Sequence, residues 1–301
     1  MNGIINIYKE EGFTSFDVVA KLRGILKTRK IGHTGTLDPS ATGVLPVTVG
    51  NATKVCELIT DKVKEYKATV LLGVQTDTLD MDGQILREDK DIEVNEEEIK
   101  TVVSSFLGEI KQIPPMYSAI KINGKKLYEY AREGKEVERK ERVVTIFDIK
   151  VTDFNLSKNR FDIVVSCSKG TYIRSLCADI GEKLGTVAVM EKLIRTRSGE
   201  FYLDNAHKIT EVEEIVKEGR IDEILLPVDI VFSKYESVYL DGSQDKILYN
   251  GGWFDYKDFG LDKDEIYGDK NSHVRVYDSK GEFKAIYKLV GTNFKPEKMF
   301  L

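Results

Sequence analysis

GHTGTLDPSATGVLP, residues 32–46, is a stretch that neither a regular helix nor a central strand can accommodate. It contains three glycines and two prolines. Glycine adopts backbone conformations closed to other residues, whereas proline fixes φ and removes an amide donor. The stretch therefore predicts a shaped loop that presents one imidazole, His33, and one carboxylate, Asp38. Structured loops of this kind often carry functional side chains.

The composition is that of a globular chain. Of its 301 residues, 41% are hydrophobic and 32% are charged, which predicts a sizeable core and more than one domain. No apolar run approaches the roughly 20 residues of a membrane span, and the first residues lack the pattern of a secretory signal. We therefore expect a cytoplasmic protein without membrane association.

Cysteine and histidine are too few and too scattered to indicate a metal site. The three cysteines, Cys56, Cys167 and Cys177, have no CxxC spacing, and the chain contains three histidines. This pattern is typical of reduced thiols in a cytoplasmic protein, so no Cys/His metal site is expected.

Charge is distributed unevenly along the chain. The net charge of −5 argues against a nucleic-acid partner, but residues 21–30 hold five Lys or Arg and no acid. Residues 121–142 hold eight Lys or Arg and five Glu, a local net charge of +3. These segments could contact RNA phosphates, whereas solvated helix faces are the commoner explanation of such runs.

Hydrophobic periodicity and turn signals predict a mixture of helices and strands. The predicted elements include a helix over 16–27 capped by Thr14 or Ser15, a strand over 66–74, a helix opened by a capping box of Asn95 and Glu98, a hairpin turn at Asn123-Gly124, and an acidic helix opened by a capping box of Thr210 and Glu213. After about residue 230, short β-rich runs predict a smaller second domain with its boundary near 230–238.

The polar segment QTDTLDMDG, residues 75–83, resembles the start of a calcium-binding loop at Asp80, Asp82 and Gly83. The later ligands of such a loop are missing, so the pattern favours an acidic turn.

Asp38 has two interpretations on residues alone. A carboxylate on a constrained loop can act as a nucleophile or a general base. It can equally hydrogen-bond the backbone of an Asp-Pro turn, which is the commoner role, and His33 by itself is more often structural. The segment lacks the Gly-x-x-x-x-Gly-Lys of a phosphate-binding loop, and the chain lacks the Gly-x-Ser-x-Gly of a serine hydrolase.

Five motifs, in order, resemble those of the TruB family of tRNA pseudouridine synthases. They are Gly32-His33-Thr34-Gly35-Thr36-Leu37-Asp38-Pro39-x-Ala41-Thr42-Gly43-x-Leu45-Pro46, Lys64-x-Tyr66, Ile113-Pro114-Pro115-x-Tyr117-Ser118-Ala119, Lys169-Gly170-Thr171-Tyr172-Ile173-Arg174, and Leu193-x-Arg195-Thr196-x-Ser198-Gly199. The resemblance covers about residues 3–230. The remaining tail is similar, more weakly, to the RNA-binding PUA domain.

The resemblance implies an α+β fold in two domains. Residues 1–235 would form the catalytic core, a mixed and mostly antiparallel sheet with flanking helices and an RNA-binding insertion at about 113–142. Residues 236–301 would form a small β-rich, PUA-like RNA-binding domain.

The activity implied by the resemblance is the isomerisation of uridine at position 55, in the T loop of tRNA, to pseudouridine. The target base is flipped into a pocket, the N-glycosidic bond breaks, and C5 joins C1′. Because the reaction involves neither redox change nor net hydrolysis, no cofactor or metal is implied. The partner would be the T-arm of tRNA, with no obligate protein partner.

The resemblance also implies roles for individual residues. Asp38 would be the nucleophile or the base that draws a ribose proton, with Arg174 as the counter-charge that keeps it ionised. Tyr66 would stack on the target base and is a candidate for removal of the C5 proton. The predicted substrate-binding residues are His33 beside the flipped nucleotides, Tyr172 and Leu193 in the pocket, and the basic side chains Lys21, Lys64 and Arg195.

Two alternatives stay open at this point. The chain could be a tRNA-binding folding factor in which catalysis is secondary or lost, although the intact set Asp38, Tyr66 and Arg174 argues against loss. It could also be a guide-RNA-dependent rRNA pseudouridine synthase, although the basic insertion at about 113–142 favours a stand-alone enzyme of the bacterial type.

Overall fold

A computed structural model describes residues 1–260 and 273–301 of the chain. Part of the range predicted for the second domain, residues 261–272, lies outside the described residues. The α-helices of the described part are α1 (Ser15–Ile25), α2 (Cys56–Thr60), α3 (Glu96–Ser104), α4 (Leu127–Arg132), α5 (Ile173–Lys183), α6 (Ile209–Lys217) and α7 (Asp245–Tyr249). In those ranges, none of the helices combines the length and the apolar character that crossing a membrane requires.

The strands run through the whole described chain. They are β1 (Gly3–Lys9), β2 (Ile31–His33), β3 (Thr42–Val49), β4 (Lys64–Leu72), β5 (Val74–Thr76), β6 (Ile85–Glu88), β7 (Gly108–Gln112), β8 (Lys121–Ile122), β9 (Lys125–Lys126), β10 (Arg142–Asn155), β11 (Arg160–Cys167), β12 (Ala188–Ser198), β13 (Phe201–Tyr202), β14 (Glu236–Tyr239), β15 (Phe254–Asp255), β16 (His273–Tyr277), β17 (Phe283–Val290) and β18 (Asn293–Met299).

The large sheet has the order β1-β3-β12-β4-β11-β10-β7, with β2 paired to β3 and β13 paired to β12. Its pairs are antiparallel except for the short parallel contact of β12 with β3. Along β11, buried and partly exposed residues alternate, as expected for a strand with one face against a core. That core packs α3 and α5 against one face of the sheet. The predicted mixed, mostly antiparallel sheet is confirmed.

Helix α1 begins as predicted but ends earlier. The Thr14 side chain accepts from the Asp17 amide and the Asp17 carboxylate accepts from the Thr14 amide, which forms a capping box. The predicted helix over 16–27 ends at Ile25 because Lys27 adopts a left-handed conformation, φ 50°. The apolar face of α1 packs with α6 and strands β1 and β3 into a second core.

Two of the other local predictions are confirmed and one is wrong. Asn95 and Glu98 form the predicted capping box of α3. The turn at Asn123-Gly124 has φ of 53° and 83°, as a two-residue hairpin of this type requires. The box predicted at Thr210 is wrong, because α6 begins two residues earlier and Glu211 Oε2 accepts from the Lys208 amide at 3.0 Å.

The C-terminal strands form a second sheet with the order β14-β16-β17-β18-β15. It has its own core, which contains Phe254, Tyr287 and Phe294. Its other face packs on the first sheet through a shared cluster in which Ile286 meets Val231 and Phe232. This mixed α+β architecture with a C-terminal curled sheet agrees with the predicted fold class.

Candidate active site

The loop between β2 and β3 carries Asp38 and is anchored at several points. The Pro39 carbonyl accepts from the Gly12 amide at 2.9 Å and from Lys9 Nζ at 3.1 Å. On the other side of Asp38, the Leu37 amide donates to Ser15 Oγ at 2.9 Å, and the Leu37 side chain is buried. The backbone on both sides of Asp38 is therefore held, while 36% of its side chain stays exposed.

Lys9 is a site residue that sequence reasoning missed. It is fully buried at the end of β1 and also donates to the Phe13 carbonyl at 2.6 Å. Burial lowers the pKa of Lys9 to about 8, although the negative charge of Asp38 opposes this shift. The only local signal of the role of Lys9 was its position at the end of an apolar strand.

Gly43 lets the loop return to the sheet. Its φ is 105°, and a Cβ at this position would lie 2.2 Å from the Arg195 carbonyl oxygen. Only glycine permits this approach of β3 to β12, which explains the third glycine of the loop.

Arg174, in the first turn of α5, connects three parts of the site. Its Nε lies 3.1 Å from Asp38 Oδ2 and its Nη1 lies 3.3 Å from Asp80 Oδ2. It also donates from Nη1 to the Thr78 carbonyl at 2.9 Å and from Nη2 to the Tyr117 carbonyl at 2.8 Å. The side chain is buried, and these bonds fix the plane of the guanidinium beside Asp38.

Asp80 is a second carboxylate that sequence reasoning assigned to an acidic turn. It is 6% exposed. Burial raises its pKa, and hydrogen bonding from Thr78 together with the charge of Arg174 opposes the shift. The segment does turn here, with Leu79 at φ 62°, but the turn directs the Asp80 carboxylate inward. No local pattern identifies this contact, because Arg174 lies on a distant helix.

Tyr66 and Arg195 lie opposite each other on strands β4 and β12. Arg195 is 1% exposed and donates from Nε to the Val44 carbonyl at 2.7 Å. Burial raises the pKa of Tyr66, whereas the charge of Arg195 and its hydrogen bond to the phenol lower it. Leu193 pairs with Ala68 on the same strands and joins the core against which Tyr66 packs.

Tyr172 is positioned by Gln112 at the start of α5. The Tyr172 amide donates to Gln112 Oε1 at 3.0 Å, and Gln112 Nε2 donates to the Tyr172 carbonyl at 3.2 Å. Burial raises the pKa of Tyr172, and the charge of Asp38 adds to it. The same charge also contributes to the raised pKa of Tyr66.

His33 ends β2, opposite Val47 of β3. Its pKa is lowered, chiefly because the ring is largely buried, and the charge of Arg195 contributes. The lowered pKa favours the neutral imidazole.

The comparisons with known proteins agree with this geometry. Residues 23–173 match the model of the N-terminal domain of the TruB family of pseudouridylate synthases. Residues 174–233 match the model of the C-terminal domain of tRNA pseudouridylate synthase B. The chain belongs to the TruB family.

TruB-family relatives cover the chain from end to end. A tRNA pseudouridine synthase B of Lachnoclostridium phytofermentans is 51% identical, with 100% of each chain covered. One of Clostridium tetani is 48% identical over 83% of this chain and 85% of the relative. Among solved structures, a Cbf5-Nop10-Gar1 complex is similar with a TM-score of 0.73 and 28% identity, covering 99% of this chain and 85% of that one.

Two of the basic residues predicted to bind the substrate, Lys64 and Arg195, are buried. Lys64 is 5% exposed, and its Nζ donates to the Lys62 carbonyl at 2.6 Å and to the Thr60 carbonyl at the end of α2. Burial lowers the pKa of Lys64 to about 8. Arg195 is buried as described above. Both side chains donate to backbone carbonyls inside the fold. Lys21 is exposed, with Nζ 4.5 Å from the centre of the Phe13 ring.

Proposed function

We propose that this protein converts uridine at position 55, in the T loop of tRNA, into pseudouridine without guide RNA or a protein partner. The observation that carries the proposal is the accessible Asp38 carboxylate, held by the buried Arg174 at 3.1 Å. Family membership supports pseudouridine synthase chemistry. The names of the relatives support tRNA as the substrate.

The reaction begins when the target nucleotide leaves the T loop and its base enters the pocket. Extrusion costs a few kcal/mol, and stacking in the pocket offsets part of this cost. The N1–C1′ bond then breaks, the base rotates, the C5–C1′ bond forms, C5 loses its proton and N1 gains one. The product has the composition of the substrate, so the reaction requires no redox cofactor.

Asp38 is the residue that acts on the sugar. Two routes fit a carboxylate at this position: attack on C1′, and removal of the C2′ proton to give a glycal. Only the glycal route breaks the C2′–H bond, so deuterium at C2′ slows turnover by that route alone. Arg174 orients Asp38 for either step, because its guanidinium is always charged and is itself held by the carbonyls of Thr78 and Tyr117.

The remaining residues shape the pocket. Tyr66 stacks on the base and takes the C5 proton, while Leu193 and Tyr172 bound the cavity in which the base turns. His33 supports the displaced nucleotides through its ring rather than by proton transfer, since its lowered pKa favours the neutral form. Asp80 is a positioning residue, because it acts through Arg174.

We divide the chain into a catalytic domain, residues 1–235, and a PUA-like domain, residues 236–301. The insertion at about 113–142 grips the T-arm. Its link to the chemistry is the bond from Arg174 to the Tyr117 carbonyl, since one guanidinium contacts both the insertion and Asp38. As an enzyme that modifies tRNA, the protein acts in the cytoplasm.

The test is tritium release from an isolated T-arm hairpin that carries 5-tritiated uridine, with no other RNA or protein added. We expect release by the wild type and none by Asp38→Asn, which should bind the hairpin normally because the loop is held by backbone contacts. Asp82→Asn, a change at an exposed carboxylate, is the matched control.

Other outcomes contradict the proposal in different ways. Release by Asp38→Asn would remove Asp38 from the chemistry. Release that depends on an added guide RNA would favour the guide-dependent class, of which the Cbf5 complexes are structural neighbours. Refolding of tRNA without any release would favour a folding factor.

A further inference from the structure

A cavity of about 730 Å³ lies at the C-terminal end of α1, outside the site described above. It is lined by Arg23, Gly24, Lys27, Thr28 and Arg29. The side chains of Arg23, Lys27 and Arg29 are exposed. In the described ranges, no carboxylate forms an ion pair with any of these three cations.

The cations of this cavity suit phosphate. Two of them are guanidinium groups, whose planar donors match the oxygens of a phosphate. The hydroxyl of Thr28 adds a polar group to the lining. Arg23 also lies 5.9 Å from the centre of the Phe16 ring, an aromatic side chain that is 63% exposed on the same helix.

The chain segment that lines the cavity is connected to the catalytic loop on both of its sides. Ser15, at the start of α1, binds the Leu37 amide, and Arg23 lies eight residues further on, about 12 Å along the helix. On the other side, the chain runs from Arg29 into β2, so His33 is at most about 14 Å away. The cavity therefore lies within reach of RNA that is bound at His33.

Lys27, just after α1, has a conformation that is uncommon for lysine. It follows the last residues of α1 in the left-handed region, φ 50°, where glycine is the usual residue because any Cβ is strained there. Basic residues at a helix C-terminus also interact favourably with the helix dipole, which is the competing explanation of Arg23 and Lys27.

We infer that the cavity formed by Arg23, Lys27 and Arg29 binds backbone phosphates of the tRNA substrate and so forms a second docking point beside the catalytic loop. The inference rests on the proposed function for the identity of the RNA. The three cations contribute affinity and orientation, whereas the chemistry stays with Asp38.

The experiment measures tRNA binding by Lys27→Gly over a series of salt concentrations. Loss of one phosphate contact reduces the slope of log affinity against log salt by about 0.9 and weakens binding about eightfold at 0.1 M salt. Glycine relieves the left-handed strain, so the melting temperature of Lys27→Gly should equal or exceed that of the wild type. The variant in which Arg23, Lys27 and Arg29 are all Gln should lose about 2–3 units of slope.

Two control variants separate the effect of losing a positive charge from the effect of relieving backbone strain. Asn159→Gly relieves the backbone strain of a left-handed residue, φ 54°, at the β10–β11 turn. Lys158→Ala removes an exposed cation from the same turn. That turn lies at the opposite end of β11 from the segment that leads to Tyr172, and neither change should alter the slope.

Failure of this inference can be distinguished from failure of the proposed function. If the wild type forms pseudouridine while Lys27→Gly and the triple variant keep the wild-type slope, the inference is wrong and the function stands. A lower melting temperature of Lys27→Gly with an unchanged slope would support the helix-dipole explanation. If the wild type forms no pseudouridine in tRNA, the proposed function fails independently of the cavity.

Discussion

Substitution of Asp80 by Asn is expected to impair catalysis while the fold is kept. The change preserves the size of the side chain and removes its charge. Asp80 Oδ2 lies 3.3 Å from Arg174 Nη1, and both side chains are buried. Arg174 keeps its bonds to the carbonyls of Thr78 and Tyr117, so the guanidinium stays in the site but is held less firmly against Asp38.

The size of the effect follows from the bond that is weakened. If the ion pair with Asp80 is as strong as a hydrogen bond to a charged group, about 1.5–3 kcal/mol, and this stabilisation is felt in the transition state, turnover falls about 10- to 150-fold. Stability should change little, because Arg174 still faces the Asp38 carboxylate and is not left as an unpaired buried charge.

The assay is single-turnover tritium release at saturating enzyme, accompanied by hairpin affinity and the melting temperature. Asp82→Asn, in the same turn but exposed, serves as the control. A rate for Asp80→Asn within threefold of the wild type would refute the positioning role. An unchanged rate with weakened affinity would instead place Asp80 in RNA binding.

The remaining predictions concern Lys64 and Tyr66. Lys64→Met should lower the free energy of unfolding by about 1–3 kcal/mol, because carbonyls near the end of α2 lose their donor, yet leave the salt slope of tRNA binding unchanged. The folded-state pKa of Lys64 is about 8, below 10.5, so the unfolded state binds more protons in that window. Stability of the wild type should therefore rise from pH 8 to 10.5 in urea titrations, and Lys64→Met should flatten the rise. Tyr66→Phe should slow tritium release about 10²- to 10⁴-fold if the phenol is the base. Because the pKa of Tyr66 is raised, the wild-type rate should increase with pH beyond neutrality, and a flat profile would leave Tyr66 with stacking alone.

Features set by neighbouring residues were predictable from the sequence. The capping box at Asn95 and the turn at Asn123-Gly124 depend on side chains and backbone within four residues, so the local pattern contains all the relevant physics. The loop predicted over residues 32–46 is only partly confirmed: residues 34–41 lie between the strands, whereas residues 32–33 belong to β2 and residues 42–46, with Pro46, belong to β3 inside the sheet. The roles of Asp38, Arg174 and Tyr66 came from family resemblance and not from such patterns.

The wrong capping box shows how a local signal can be ambiguous. Both Lys208 with Glu211 and Thr210 with Glu213 offer an acid three residues after a possible cap. The choice depends on which face of α6 is buried, and Ile209 and Val212 are the residues that pack towards α1. Tertiary packing therefore determined the start of the helix.

The mixed sheet came from the family resemblance, whereas the residue pattern alone was sufficient to define a shaped loop carrying Asp38, a mixture of helices and strands and the basic character of residues 21–30. It could not tell an exposed cation from a buried one, because Lys64 and Arg195 acquire their partners from backbone carbonyls that only the folded chain brings to them. It also could not place Asp80 on Arg174. Burial and charge pairing depend on segments far apart in the chain, and these meet only when the strands and α5 have packed.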